Sequence, residues 1–255
     1  MSKNKNGAKD SWLSFWNAYR NREACDESDL FFQVGKTVNK VPIPVEAFRY
    51  MVDRIADKLQ LTTDDHLMDY CCGNGLLTYE FAKRVRNVTA IDFTTHLIVT
   101  ARRLKALPNI TYCLGDVKAP LHTLLSCQNL LPNAFLMYDA LAYFEPKDLN
   151  AIIKNILHLL DKRPFRMFLG HIPNSDLKWN FYNTPERRAR HLENEKNPAN
   201  TNDGLGRWWS ANEIEQLCQQ LGLTVSIENQ PPELSNYRMD ALISSKLGNP
   251  SKITL

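Results

Sequence analysis

The chain is expected to be an α/β protein built on a doubly wound, mostly parallel sheet, and three observations lead there. Short apolar runs alternate with segments whose apolar residues recur every three to four positions, the pattern of strands joined by crossover helices. The run at 66–70 stops at an acid and breaks into glycines, Asp69-Tyr70-Cys71-Cys72-Gly73-Asn74-Gly75, which reads as a buried strand, a tight turn and the first turn of a helix. Acids also end the later runs at Asp92, Asp116 and Asp139. Right-handed crossovers would bring those strand ends to one edge, where ligands bind in such sheets.

Taken in order, residues 1–10 are polar and lysine-rich, a frayed terminus with no assigned role. Trp12, Phe15, Trp16 and Tyr19 then fall on one helical face. Two readings stand: the stripe docks the helix on the core, or it forms a lid with Tyr19 at a pocket mouth. The run 30–38, broken by Gln33, Gly35 and Lys36, is too polar for a core strand. Pro44 opens a helix whose buried face is Val45, Phe48, Met51, Val52, Ile55 and Leu59. Leu77, Phe81 and Val85 mark the next helix. Leu97, Ile98, Ala101 and Leu104 mark another, capped by Thr94 or Thr95. Leu149, Ile152, Ile153, Ile156, Leu157 and Leu160 repeat as a helix packed on the sheet.

Residues 165–170 form the fifth strand, with His171 at its tip. A polar insertion over 173–206 holds Trp179, Phe181 and Tyr182 and is long enough to be a functional cover. Ser210 and Glu213 have capping-box spacing, and Ile214, Leu217, Cys218 and Leu221 form the face of the helix they start, which Gly222 stops. Residues 223–227 and 237–243 close the sheet. The expected division is an N-terminal helical lid segment over 1–44, a domain over 45–245 and a tail over 246–255.

With 255 residues, 44% of them hydrophobic, the chain can bury one large core. A net charge of +3 is too small to imply a nucleic-acid surface, so no nucleic-acid partner is expected. The six cysteines sit mostly in apolar runs, and neither a secretory leader nor a membrane-spanning run is recognisable. They read as reduced residues of a cytoplasmic protein without membrane association. Adjacent Cys71 and Cys72 lack metal-ligand spacing, so no metal site is expected.

Gly73 and Gly75 allow a ligand to approach the backbone, because a Cβ would fill that space, and the amides of the following helix would face it. Asp69 can accept a hydrogen bond from a cationic or hydroxylated ligand, whereas it would repel a pyrophosphate. This arrangement resembles the first motif of class I S-adenosylmethionine-dependent methyltransferases. The further stations appear in order: an acid at Asp92, about 20 residues past the turn, then Asp116 and Asp139, each at the end of its own apolar run. Cys71 stands where many members have a first glycine, and Leu77 where some have a third; Asp-X-Cys-Cys-Gly-Asn-Gly is similar to a subgroup variant found in bacterial surface-polysaccharide and small-metabolite enzymes. The resemblance covers roughly residues 45 to 245. It implies a Rossmann-like seven-stranded sheet with its last strand antiparallel, and S-adenosyl-L-methionine as cofactor. The residues implied to hold it are Asp69, Cys71, Gly73, Asn74, Gly75, Asp92 on the ribose, Phe93, Asp116 near the adenine, Val117 and Tyr138. Lys36 would approach the methionine carboxylate or an anionic acceptor; a solvated lysine is the other reading.

A methyl on a sulfonium needs alignment and water exclusion more than activation, and a base only for a protonated acceptor. His171 is the candidate base, since its ordinary pKa suits proton removal near neutrality; a structural hydrogen bond is the competing role. Asp139 would orient it or contact the acceptor, and Tyr19, Tyr143, Trp179 and Tyr182 would line the acceptor site. The fourth motif reads Tyr138-Asp139-Ala140-Leu141 and lacks the Asn/Asp-Pro-Pro-Tyr/Phe signature of amide and exocyclic-amine methylation. O-methylation of a small metabolite, sugar or sugar-phosphate is therefore expected. The alternatives are a tRNA or protein methyltransferase and a nicotinamide-dependent oxidoreductase, the latter needing a Gly-X-Gly-X-X-Gly turn that Cys71 and Leu77 break.

Overall fold

The computed structural model describes residues 14–19, 26–38, 40–125, 131–161, 163–196 and 205–245. Trp12 lies outside the described residues. The elements divide between two compact units, residues 1–135 and 136–255.

The first unit opens with α1 (residues 14–18), on which the rings of Phe15, Trp16 and Tyr19 pack against one another at centroid distances of 5.0–5.5 Å. Next comes α2 (Glu27–Gln33), capped by the Asp26 carboxylate, which accepts from the Asp29 amide. A small antiparallel hairpin follows, β1 (Thr37–Val38) and β2 (Val41–Pro42). Pro44 caps α3 (Val45–Leu59), whose buried face is Phe48, Met51, Val52, Ile55, Ala56 and Leu59. Val45 was expected on that face but is 51% exposed, because the first helical turn projects beyond the core it packs on.

Strands β3 (His66–Tyr70), β4 (Asn87–Asp92) and β5 (Ile110–Leu114) pair in parallel, with Asp69 in register with Ala90 and Asp92 with Leu114. Helices α4 (Leu76–Ala82) and α5 (Thr95–Leu104) make the crossovers. Leu76, rather than the expected Leu77, is the fully buried leucine of α4, and Val85 is buried just past the helix end. A short α6 (Leu121–Leu124) comes before β6 (Ala134–Tyr138).

In the second unit a 3-10 turn over Leu141–Tyr143 leads into α7 (Pro146–Leu160), which buries Leu149, Ile152, Ile153, Ile156 and Leu160. Strand β7 (Arg166–Pro173) runs three residues beyond the expected strand end. Part of the expected insertion is helical, α8 (Lys178–Phe181) and α9 (Pro185–Lys196). The chain returns through Trp209, fully buried, whose indole donates to the Leu141 carbonyl at 3.1 Å. Helix α10 (Ala211–Gln220) carries the Ser210–Glu213 capping box, and β8 (Leu223–Asn229) and β9 (Arg238–Ser245) close the sheet.

The strand order is β5-β4-β3-β6-β7-β9-β8. β9 is antiparallel to both β7 and β8. This is the seven-stranded, mostly parallel sheet expected, with the last strand in sequence running against the rest. Among the described residues no helix is long and apolar enough to cross a membrane.

Candidate active site

In the first unit the turn after β3 is held by backbone and by acids. Cys71 takes a left-handed φ of 58°, a conformation that costs a residue with a Cβ and costs glycine nothing. That is the physical reason a glycine suits this position. Gly75 has φ 77°, and a Cβ there would run into the Tyr112 hydroxyl; one on Gly73 would come within 3.0 Å of Val34 Cγ1. The turn is therefore both bent and crowded, and side chains at these two positions would distort it.

Asp92 ties the turn together: its Oδ2 accepts from the Gly73 amide at 2.9 Å and its Oδ1 from the Thr94 amide at 2.8 Å. Burial pushes its carboxyl up from the ordinary value, opposed by those amides. The Thr94 hydroxyl bonds it too, and since a carboxylate has about four acceptor positions, capacity for a further donor remains. Asp69, 3% exposed, accepts from the Thr78 hydroxyl at 2.6 Å. Its pKa is pushed up to about 7, mainly by desolvation, with the Thr78 hydrogen bond lowering it and the Asp92 charge raising it. Desolvation also lifts the Cys71 and Cys72 thiols, which stay neutral.

Asn74 is fully buried and donates to the Leu30 carbonyl at 2.9 Å and to Gln33 Oε1 at 3.1 Å, fastening α2 to the turn. Lys36 follows α2 and is half-buried, its amide bonded to the Phe31 carbonyl. A Cβ on Gly35 would lie 3.6 Å from the Tyr19 hydroxyl, so α1 reaches this same segment. Beyond β5, Asp116 is half-buried and accepts from the Lys118 amide at 3.0 Å, beside buried Val117; Phe93 is half-buried after β4. Two buried polar atoms here have no protein partner, Asn74 Oδ1 and His96 Nε2. Desolvation pushes the His96 imidazole down against the Asp92 charge, so it stays neutral at pH 7. Sequence reading passed over Thr78 and His96, which carry no motif of their own.

The second unit gathers the residues expected to do chemistry. Asp139 and His171 both take left-handed backbone, φ 60° and 62°, strain that is retained where a side chain must be aimed. His171 Nε2 lies 4.0 Å from Asp139 Oδ1. Its ring stacks on Tyr138 at 5.4 Å, 15° from parallel. A Cβ on Gly170 would strike the Tyr138 ring, so this glycine makes room for the stack. Arg238 donates to Asp139 Oδ1 at 3.0 Å and to the His171 carbonyl at 2.6 Å. Arg238, itself buried, thereby forms an ion pair with Asp139. Gln230 and Asp240 complete the group behind His171.

Tyr143 is half-buried in the 3-10 turn. Tyr182, only 3% exposed, stacks on His191 at 4.0 Å, and Trp179, 43% exposed, meets both edge-on. These two aromatics pack the insertion on itself. Arg238, Gln230 and Asp240 were not singled out in the sequence, though an arginine and an aspartate inside an otherwise apolar closing strand are a visible signal.

The residues of the glycine turn suit an adenosyl cofactor: an acid over a Cβ-free bend, a second acid with unused acceptor capacity, and orphaned buried polar atoms beside them. Residues 67–163 match the family model described as "Methyltransferase domain". Sequence comparison with curated proteins gives no match. Among solved structures, the chain is similar to magnesium protoporphyrin IX methyltransferase (ChlM) from Synechocystis PCC 6803 with bound SAH, at 13% identity, a TM-score of 0.61 and coverage of 93% of this chain and 99% of that one. It is similar to the DhpI–SAH complex at 14% identity, TM-score 0.58, covering 94% and 98%. N-methyltransferase NodS from Bradyrhizobium japonicum WM9, with SAH, matches at 11% identity, TM-score 0.55, covering 92% and 97%. The family match spans the strand, the glycine turn and the acids that follow it, and the seven-stranded sheet has the fold of these solved structures: residues 67–163 form a methyltransferase domain.

Proposed function

We propose that the enzyme O-methylates a small hydroxylated acceptor, a metabolite, sugar or sugar-phosphate of the kind used as a surface-polysaccharide precursor. The observation that carries this reading is His171, set on strained backbone at a strand tip, stacked on Tyr138 and backed by a buried polar group. An amine or carboxylate acceptor with a free lone pair would need no such base.

When bound, S-adenosylmethionine supplies a methyl already activated on sulfonium. Asp92 holds the ribose, Asp116 and Val117 the adenine end, and Asp69 with the Gly73–Gly75 backbone the methionine end. Lys36 serves the carboxylate, and Cys71, Asn74 and Phe93 shape the cradle. His171 takes the proton from the acceptor hydroxyl and releases it to solvent, while Asp139 orients the imidazole and stabilises its charged form. Tyr143 and the exposed Trp179 flank the acceptor, with buried Tyr182 packed against Trp179. The α1 helix, reaching Gly35 through Tyr19, acts as a lid over the cofactor segment.

The test is transfer of labelled methyl from S-adenosylmethionine to a panel of hydroxylated metabolites, sugars and sugar-phosphates. His171→Ala should lower kcat about a hundredfold at neutral pH and leave S-adenosylmethionine affinity unchanged by calorimetry. Undiminished transfer would give His171 a structural role, and transfer only to tRNA or protein would replace the acceptor class.

A further inference from the structure

The register of β7 against β9 breaks at the strand tip. Leu169 pairs with Ala241 and Ile172 with Met239, so Gly170 and His171 together face the single residue Asp240. Two residues opposite one is a β-bulge, a device that bends a strand and re-aims a side chain. Within it the His171 amide has no ladder carbonyl and donates instead to Asp240 Oδ1 at 2.8 Å.

Asp240 is 1% exposed, and the same oxygen accepts from Gln230 Nε2 at 2.8 Å. That oxygen accepts from the His171 amide and from Gln230, so the Gln230 amide turns its NH2 toward Asp240 and its carbonyl oxygen the other way. There the oxygen meets His171 Nδ1 at 2.8 Å. A carbonyl oxygen cannot donate either, so the proton of this bond belongs to Nδ1. Neutral histidine in water favours the opposite tautomer, with its proton on Nε2. The chain of partners from Asp240 through Gln230 reverses that preference, since the bond at one ring nitrogen decides where the proton sits.

We propose that Gln230 is a positioning residue that holds neutral His171 in its Nδ1–H form, with Asp240 fixing the orientation of the Gln230 amide. Nε2, the nitrogen on the Asp139 side, is then the basic one. This inference rests on the reading of His171 as the base, which needs a lone pair on the nitrogen that takes the proton. Asp139 Oδ1, 4.0 Å from Nε2, pulls the other way, but it is beyond hydrogen-bond distance and its charge is shared with Arg238. Arg238 holds the His171 carbonyl and Asp139, and the Tyr138 hydroxyl accepts from the Gln230 amide at 3.4 Å. None of these bonds engages the imidazole Nδ1, which is left to Gln230.

The experiment is long-range proton–nitrogen correlation NMR of the full chain labelled with nitrogen-15 histidine, above neutral pH, with His171 identified by its loss in His171→Ala. Wild type should show Nδ1 as the protonated nitrogen and Nε2 as the bare one. Gln230→Leu, similar in size but without an acceptor, should shift His171 to the Nε2–H form as its major species. A wild-type signal with the proton on Nε2 overturns the proposal without any variant having to fold. So does an unchanged tautomer in folded Gln230→Leu. Nδ1–H in wild type alongside full transfer activity in His171→Ala would support the tautomer lock while removing the base assignment, so the two readings fail separately.

Discussion

Asp69 and Asp92 both stand at strand ends, yet they perform different physical tasks. Asp92 is satisfied by two amides, whereas Asp69 relies on one hydroxyl and is mostly desolvated. The folded protein keeps a proton on Asp69 up to about pH 7, while an ordinary aspartate loses it near 3.8. Between those values the folded state binds more protons, so stability falls as pH rises and the loss is complete above the folded pKa. Asp69→Asn mimics the protonated form and abolishes this titration. Without cofactor, it should be increasingly more stable than wild type as pH rises from about 4 to about 7, by up to roughly 4 kcal/mol, and level thereafter. Urea unfolding across that range checks this, and a pH-independent difference would refute it. Asp92→Ala removes both the proposed ribose contact and the acceptor for the Gly73 and Thr94 amides. S-adenosylmethionine affinity should fall at least about tenfold by calorimetry, with about 1–3 kcal/mol of stability lost by urea unfolding. Unchanged affinity would shift the ribose to another group.

At the level of elements, legibility followed the range of the interactions. Helices α3, α5 and α7 are written in their own apolar repeats, and α10 in the Ser210-to-Glu213 spacing, which the structure closes as a reciprocal cap. Ser210→Ala removes the acceptor for the Glu213 amide, and about 1 kcal/mol of stability should go with it in urea unfolding; no change would mean that water replaces the hydroxyl. The bulge in β7 was not legible. It arises from pairing with a strand some seventy residues later in sequence, whose register no local pattern encodes. For the same reason Gln230 and Asp240 were invisible as a pair with His171, although His171 itself stood out at a strand tip. Val45 shows the opposite error: its periodicity was helical and apolar, but periodicity alone does not say where the core ends.

For the whole molecule, the doubly wound, mostly parallel sheet was readable because strand runs alternate with helical ones along the chain. What alternation could not supply was the content of the 173–206 segment, where Tyr182, Trp179 and His191 pack together. Their sequence spacing fits an acceptor wall as readily as a small core. Strand β9 carries a different implication. Latest of the described strands, it is inserted between β7 and β8 instead of being added at the rim. As the polypeptide leaves the ribosome, β7 and β8 must wait with unpaired backbone until residues 238–245 emerge. Asp240 and Arg238 arrive on that final piece, so a nascent chain interrupted just before it would have every other strand and yet lack the groups that aim His171.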